Sequence, residues 1–178
     1  MNCSKVSTVI GLAAICMFTQ AALAQTSGSS TPVPAADKKF AMMVAQTDLA
    51  ELQVSNMALQ KSNSDDVKKL AQKLIDDHTK TTDSMKEIAG KKGLTLPTEP
   101  DAKHKALAAK LQNESGDQFD KDYLAANSMD HHKVVAAFEK EANSGQDPDI
   151  KGFASQYLPA IQEHTKMIDG DKSKMGGK

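Results

Sequence analysis

The chain has 178 residues, enough for one domain, with 22 basic against 23 acidic side chains and a formal net charge of −1. All 22 basic residues are lysine. Bidentate recognition of phosphates and base edges belongs to arginine, so nucleic acid is not an expected partner. With no Trp, two Tyr and five Phe, a carbohydrate platform or aromatic stacking groove is not expected either.

Residues 1–24 read as a cleavable signal peptide. Lys5 supplies the positive n-region, Val6 to Phe18 is an apolar run, and Ala22-Leu23-Ala24 fits the small-x-small cleavage rule. The run is short of the about 20 residues of a membrane span. The expectation is therefore export to the periplasm with no stable membrane insertion after cleavage at Ala24. Cleavage removes both cysteines, Cys3 and Cys16, so disulfides, thiolate metal sites and thiol catalysis drop out. Residues 25–36 are rich in Ser, Thr, Gly and Pro and read as a flexible leader.

A first helix is expected over Asp37–Lys61, with Asp37 as N-cap. Phe40, Val44, Thr47, Glu51, Val54 and Ala58 fall at three- and four-residue steps, beside a second stripe through Met42, Ala45, Leu49, Leu52 and Leu59. After the Ser62-Asn63-Ser64 turn, a second helix runs from Asp65 to Lys91, with Val67, Leu70, Leu74, His78, Thr81, Met85 and Ile88 inward, and Gly93 stops it. Residues 93–116 form a long connection with a short helix over Asp101–Leu111. A third long helix, Asp117–Asn143, carries Leu124, Asn127, His131, Val134 and Phe138. The fourth opens with Asp147 as N-cap and Pro148 at its first position. It carries Ile150, Phe153, Tyr157, Ile161, His164 and Ile168 to about Asp169, with a kink expected at Pro159. Residues 170–178 read as a disordered polar tail. Two tight hairpins joined by one long crossover make an all-α, ferritin-like four-helix bundle spanning residues 37–169.

One four-residue word recurs on three of these helices: Asp77-His78-Thr79-Lys80, Asp130-His131-His132-Lys133 and Glu163-His164-Thr165-Lys166. Depth can be counted from the turns, near residues 63 and 146. Glu51 and His78 lie 12 and 15 residues from the first turn; His131 and His164 lie 15 and 18 from the second. Each mismatch is about 5 Å at 1.5 Å per residue. Glu51, His78, His131 and His164 can thus meet at mid-bundle, and imidazole with carboxylate suits one divalent ion: Zn, Cu, Fe or Mn. The acid beside each histidine points about 100° away. Asp77, Asp130 and Glu163 are therefore expected to accept the second ring N–H of a histidine on a neighbouring helix.

A second reading stands beside it. Three His–acid pairs can close on themselves as a core hydrogen-bond network that binds nothing. A metal site needs open ring nitrogens that converge; a structural network has each nitrogen already bonded. His104 is expected on the surface of the crossover, and His132 either at the rim of the cluster or on the surface. Lys80, Lys133 and Lys166 are expected on solvated faces. Met85 and Met167 share faces with His78 and His164, which keeps copper among the candidate ions, although Met also fills cores.

Ala50-Glu51 on the first helix, the run from Ala71 to His78, Gly93 to Pro97, Phe119-Asp120-Lys121-Asp122-Tyr123, Asp130-His131-His132-Lys133, Asp147-Pro148-Asp149-Ile150-Lys151, Leu158-Pro159 and His164 resemble the exported bacterial family called domain of unknown function 4142. The resemblance covers residues 37–168. It implies a ferritin-like helical domain in the cell envelope and carries no catalytic assignment. Its recurrent positions fall on Glu51, His78, His131 and His164. Di-iron bundles use Glu-x-x-His, whereas Ile75, Ser128 and Ile161 stand three residues before the histidines here. No catalytic residue is assigned, and ferroxidase or oxygenase chemistry is not expected. The expected partner is a second copy of the chain or another envelope protein.

Overall fold

The computed structural model describes Met1 and residues 32–177. The expected signal peptide, cleavage site and first part of the leader lie outside these residues. Five helices follow: α1 (Ala35–Lys61), α2 (Asp65–Lys92), α3 (Ala102–Gln112), α4 (Gly116–Ser144) and α5 (Pro148–Gly176). Among the described residues there is no strand, and no helix is long and apolar enough to cross a membrane.

The punctuation of the sequence sets most helix ends. Ser64 accepts from the Val67 N–H at the start of α2, and Gly93 ends that helix at φ 63°, a left-handed conformation that glycine adopts without a Cβ clash. Asp101 caps α3 through the His104 N–H. Asp147 caps α5 through the N–H groups of Asp149 and Ile150, with Pro148 in the first turn. α1 packs most extensively on α2, and α4 on α5, with α3 riding in the crossover. This is the expected pair of hairpins.

Three expectations are corrected. Asp37 does not cap α1, which begins two residues earlier after Pro34. Its buried carboxylate instead accepts the Gln146 N–H at 2.9 Å and the Asp147 N–H, tying the start of α1 to the α4–α5 turn. The helix does not stop at Asp169 but continues to Gly176. Lys174 bonds Asp171 within α5 at 2.8 Å and Asp66 of α2 at 3.0 Å, and Met175 packs on the core, which holds the last turns in place. The second apolar stripe of α1 is largely marginal, with Met42 exposed. The buried face of α1 runs through Ala41, Asp48 and Ser55 as well as the first stripe.

The core is in two parts. One cluster contains Val54, Leu70, Leu74, Phe119, Leu124 and Ile168. The other contains Phe40, Val44, Met85, Val134, Phe153 and Ile161. Each long helix passes from one to the other, and the three histidines of the recurring word fall between them.

Candidate metal centre

The same interruption occurs on every long helix. On α2 it is His78, between Leu74 and Met85; on α4, His131, between Leu124 and Val134. On α5 it is His164, between Ile161 and Ile168, and on α1, Asp48 and Glu51, between Val44 and Val54. Helical periodicity aims all of them inward, because each continues the apolar stripe of its helix. The result is a polar layer between the two apolar clusters.

The three rings form a nearly equilateral triangle. Their centroids are 5.8 Å apart for His78–His131, 5.5 Å for His78–His164 and 5.8 Å for His131–His164. One ring nitrogen from each lies within 4.8 Å of the others. None of the three residues is more than 2% exposed.

Each ring is held from behind. His78 Nδ1 donates to Asp48 Oδ1 at 2.8 Å, and Asp48 Oδ2 accepts from the Thr81 hydroxyl at 2.7 Å and the Thr82 hydroxyl at 3.3 Å. His164 Nε2 donates to Asp77 Oδ2 at 3.0 Å, and Asp77 is fixed by Lys73 and Lys80 at 3.0 and 2.9 Å. His131 Nδ1 donates to the Asn127 carbonyl one turn earlier, at 3.1 Å. Carboxylates and carbonyls only accept, so each of these ring nitrogens carries the proton. The remaining three, His78 Nε2, His131 Nε2 and His164 Nδ1, are buried and have no hydrogen-bond partner.

Electrostatics keeps two of the rings neutral. Burial, with the neighbouring His78 and His164, pushes the His131 pKa well below the ordinary value. Burial and His78 bring His164 down to about 4 against the pull of Asp77. For His78 burial acts in the same direction, but the Asp48 bond and the charges of Asp48, Glu51 and Asp77 outweigh it and raise the pKa. The cluster therefore favours its one extra proton on His78. Burial pushes the Glu51 carboxyl up to about 7, helped by Asp130 and Asp48 and opposed by His78.

Of the expected site residues, His78, His131 and His164 are brought together. Glu51 stands beside them: its Oε1 is 3.8 Å from His131 Nδ1, on the side already bonded to Asn127, and its Oε2 is buried without a partner. Among the carboxylates expected behind the rings, Asp77 backs His164. Asp130 instead pairs with Lys103, with His104 Nε2 at 3.5 Å and with Lys133 at 3.5 Å. Glu163 is exposed and pairs with Lys73 at 3.5 Å. His104 is not on the open surface, because Asp101 and Asp130 enclose it at 13% side-chain exposure. His132 is exposed and bonds Asp169 at 3.0 Å.

Sequence reasoning passed over Asp48. It sits three residues before Glu51 and so shares its face, and a carboxylate in a buried stripe was the available signal. The layer offers three inward ring nitrogens without partners, on rings of which His131 and His164 are held neutral and His78 must give up its extra proton to bind, a donor set that fits a borderline divalent ion.

Comparison with known proteins bears on the fold. No curated protein matches the chain. The structure is similar to a DUF305 fragment from Deinococcus radiodurans, with a TM-score of 0.71 and 16% identity, covering 81% of this chain and 99% of that one. It is also similar to a candidate spore coat protein from Bacillus halodurans C-125, with a TM-score of 0.63 and 18% identity, covering 81% of this chain and 91% of that one. At these identities the likeness shows a shared helical-bundle fold. A family model described as a domain of unknown function, DUF4142, matches residues 22–170, and the chain belongs to that family.

Proposed function

We propose that this protein is an exported, periplasmic helical bundle that binds one divalent metal ion, with His78, His131 and His164 as ligands and a role in metal handling or envelope stress. One observation carries the reading: three buried ring nitrogens have no hydrogen-bond partner, and the three rings converge. An unsatisfied buried polar group costs about 1–3 kcal/mol. Three such atoms in one layer are a substantial deficit, and a tightly bound structural ion contributes about 10 kcal/mol or more. A closed network would have satisfied them.

Zn, Cu, Fe and Mn are the candidate ions. Zinc fits a nitrogen-rich four-coordinate site best. Met85 and Met167 pack in the apolar clusters on either side of the layer. Glu51 is the fourth candidate ligand. It would have to turn past His131, and its raised pKa means that binding an ion there also releases a proton. No catalytic role is assigned. The alternative, that the cluster only holds the helices together, draws on the Asp48 and Asp77 bonds, which pin two rings without any ion.

The test is metal content by mass spectrometry on protein purified from periplasm without chelator or affinity tag, with His78→Ala and His131→Ala in parallel. Near one equivalent of a single metal, lost in both variants, is the expected result. No metal in the wild type, and none after titration with Zn, Cu, Fe and Mn, overturns the proposal in favour of the structural network.

A further inference from the structure

A second polar cavity lies at the other end of α2 from Gly93. It encloses about 450 Å³ and is lined by Asn63, Asp66, Asp117, Asp120, Asp171 and Lys174, among others. Asp66 is 12 residues before His78 on α2, which places it about 18 Å away along the helix axis. The two polar sites are therefore separate.

The balance of charge here is one-sided. Four aspartates face one lysine, a nominal −3 (4 − 1). Lys174 is spoken for at the rim, bonded to Asp171 at 2.8 Å and to Asp66 at 3.0 Å. Asp120 lies deeper, only 1% exposed, and neither of its oxygens accepts a well-formed hydrogen bond. Burial, with the Asp117 charge, holds its pKa above the ordinary value against the opposing pull of the Ser62 hydroxyl, the Ser64 N–H and the Lys68 charge. A buried carboxylate with neither oxygen in a formed hydrogen bond lines a cavity with three further aspartates, an arrangement suited to a cation.

We propose that this cavity binds one partly hydrated hard divalent cation, Ca²⁺ or Mg²⁺, anchored directly by Asp120. The donor set is all oxygen, with no imidazole, which is the preference of these ions and the reverse of the histidine layer. The cavity is many times the ~30 Å³ share of one water. The ion therefore keeps part of its water shell, and Asp117 and Asp171 reach it through that water. Lys174 is its competitor for the rim carboxylates.

Isothermal titration of chelator-stripped protein with CaCl₂ and with MgCl₂, at ionic strength held constant with NaCl, tests the site. Saturable binding of at least one of the two ions is expected, in the range of about 10⁻⁴–10⁻³ M common for weak oxygen sites. Asp120→Asn should weaken it ~10-fold or more, and Lys174→Gln should tighten it. His78→Ala should leave it unchanged. Absence of saturable binding by both ions in the wild type overturns the proposal, as does undiminished affinity in Asp120→Asn. Should Asp120→Asn fail to fold, an affinity that does not rise in Lys174→Gln overturns it.

Discussion

His78 and Asp48 face each other at equal depth in the first hairpin, joined by a 2.8 Å bond between side chains that are 2% and 5% exposed. Each lies 15 residues from the turn at residue 63 (63 − 48 = 78 − 63 = 15). Asp48 thereby decides which nitrogen of His78 carries the proton and which is open to the cluster.

Asp48→Asn should therefore disarm His78 without unfolding the bundle. The amide can donate as well as accept, which lets the Nδ1–H tautomer lapse and a proton settle on the inward nitrogen. Loss of such a partner typically weakens metal binding about 10- to 100-fold. Competition titration with a chromophoric zinc chelator reads this directly. Unchanged affinity would mean that the Asp48 bond does not set the tautomer.

In the ion-free protein, His164, His131 and Glu51 together should contribute most to stability at about pH 6. His164 is lowered to about 4 from 6.5. Its contribution is present above pH 6.5 and lost as pH falls through 4, and His131 acts in the same direction. Glu51 is raised to about 7 from 4.5. Its contribution is present below pH 4.5 and lost as pH rises through 7. Glu51→Gln removes the second effect, so its stability relative to wild type should improve by about 2 kcal/mol between pH 5 and pH 8. Urea unfolding of both proteins at the two pH values checks this; a constant difference contradicts it.

Replacing a cluster histidine with an apolar residue separates the two readings of the layer. His131→Leu removes a buried nitrogen that has no partner. The ion-free variant should match the wild type or exceed it by up to about 2 kcal/mol, because a desolvated unpaired group is deleted. If the histidines were a structural network, the same change should destabilise by 3 kcal/mol or so. Chelator-treated samples compared in urea give the sign.

Asp37→Ala should loosen the junction between α1 and the α4–α5 turn. It strands the N–H groups of Gln146 and Asp147, which the Asp37 carboxylate now accepts. A loss of about 1–3 kcal/mol is expected. Hydrogen exchange should show it as faster exchange at Gln146 and Asp147, with the α2–α3 connection unaffected.

By itself the sequence determined the helices, the two hairpins and the convergence of His78, His131 and His164. These depend on a 3.6-residue period, on capping residues at the turns and on counting from a turn, all of which are local. Even Asp48 was legible by the same count, since it matches His78 in depth more closely than Glu51 does. The end of α5 was not legible. Gly170 and the lysines after it read as a tail, and only contacts with Asp66 and the core across the bundle keep them helical. Nor was the pairing of carboxylates with rings. Asp77, Asp130 and Glu163 occupy the same place in the recurring word, yet one backs His164, one holds the crossover helix through Lys103 and His104, and one faces solvent. Each points about 100° from its own histidine. What it meets there depends on how far each helix is rotated against its neighbours, and packing across the whole bundle sets that rotation.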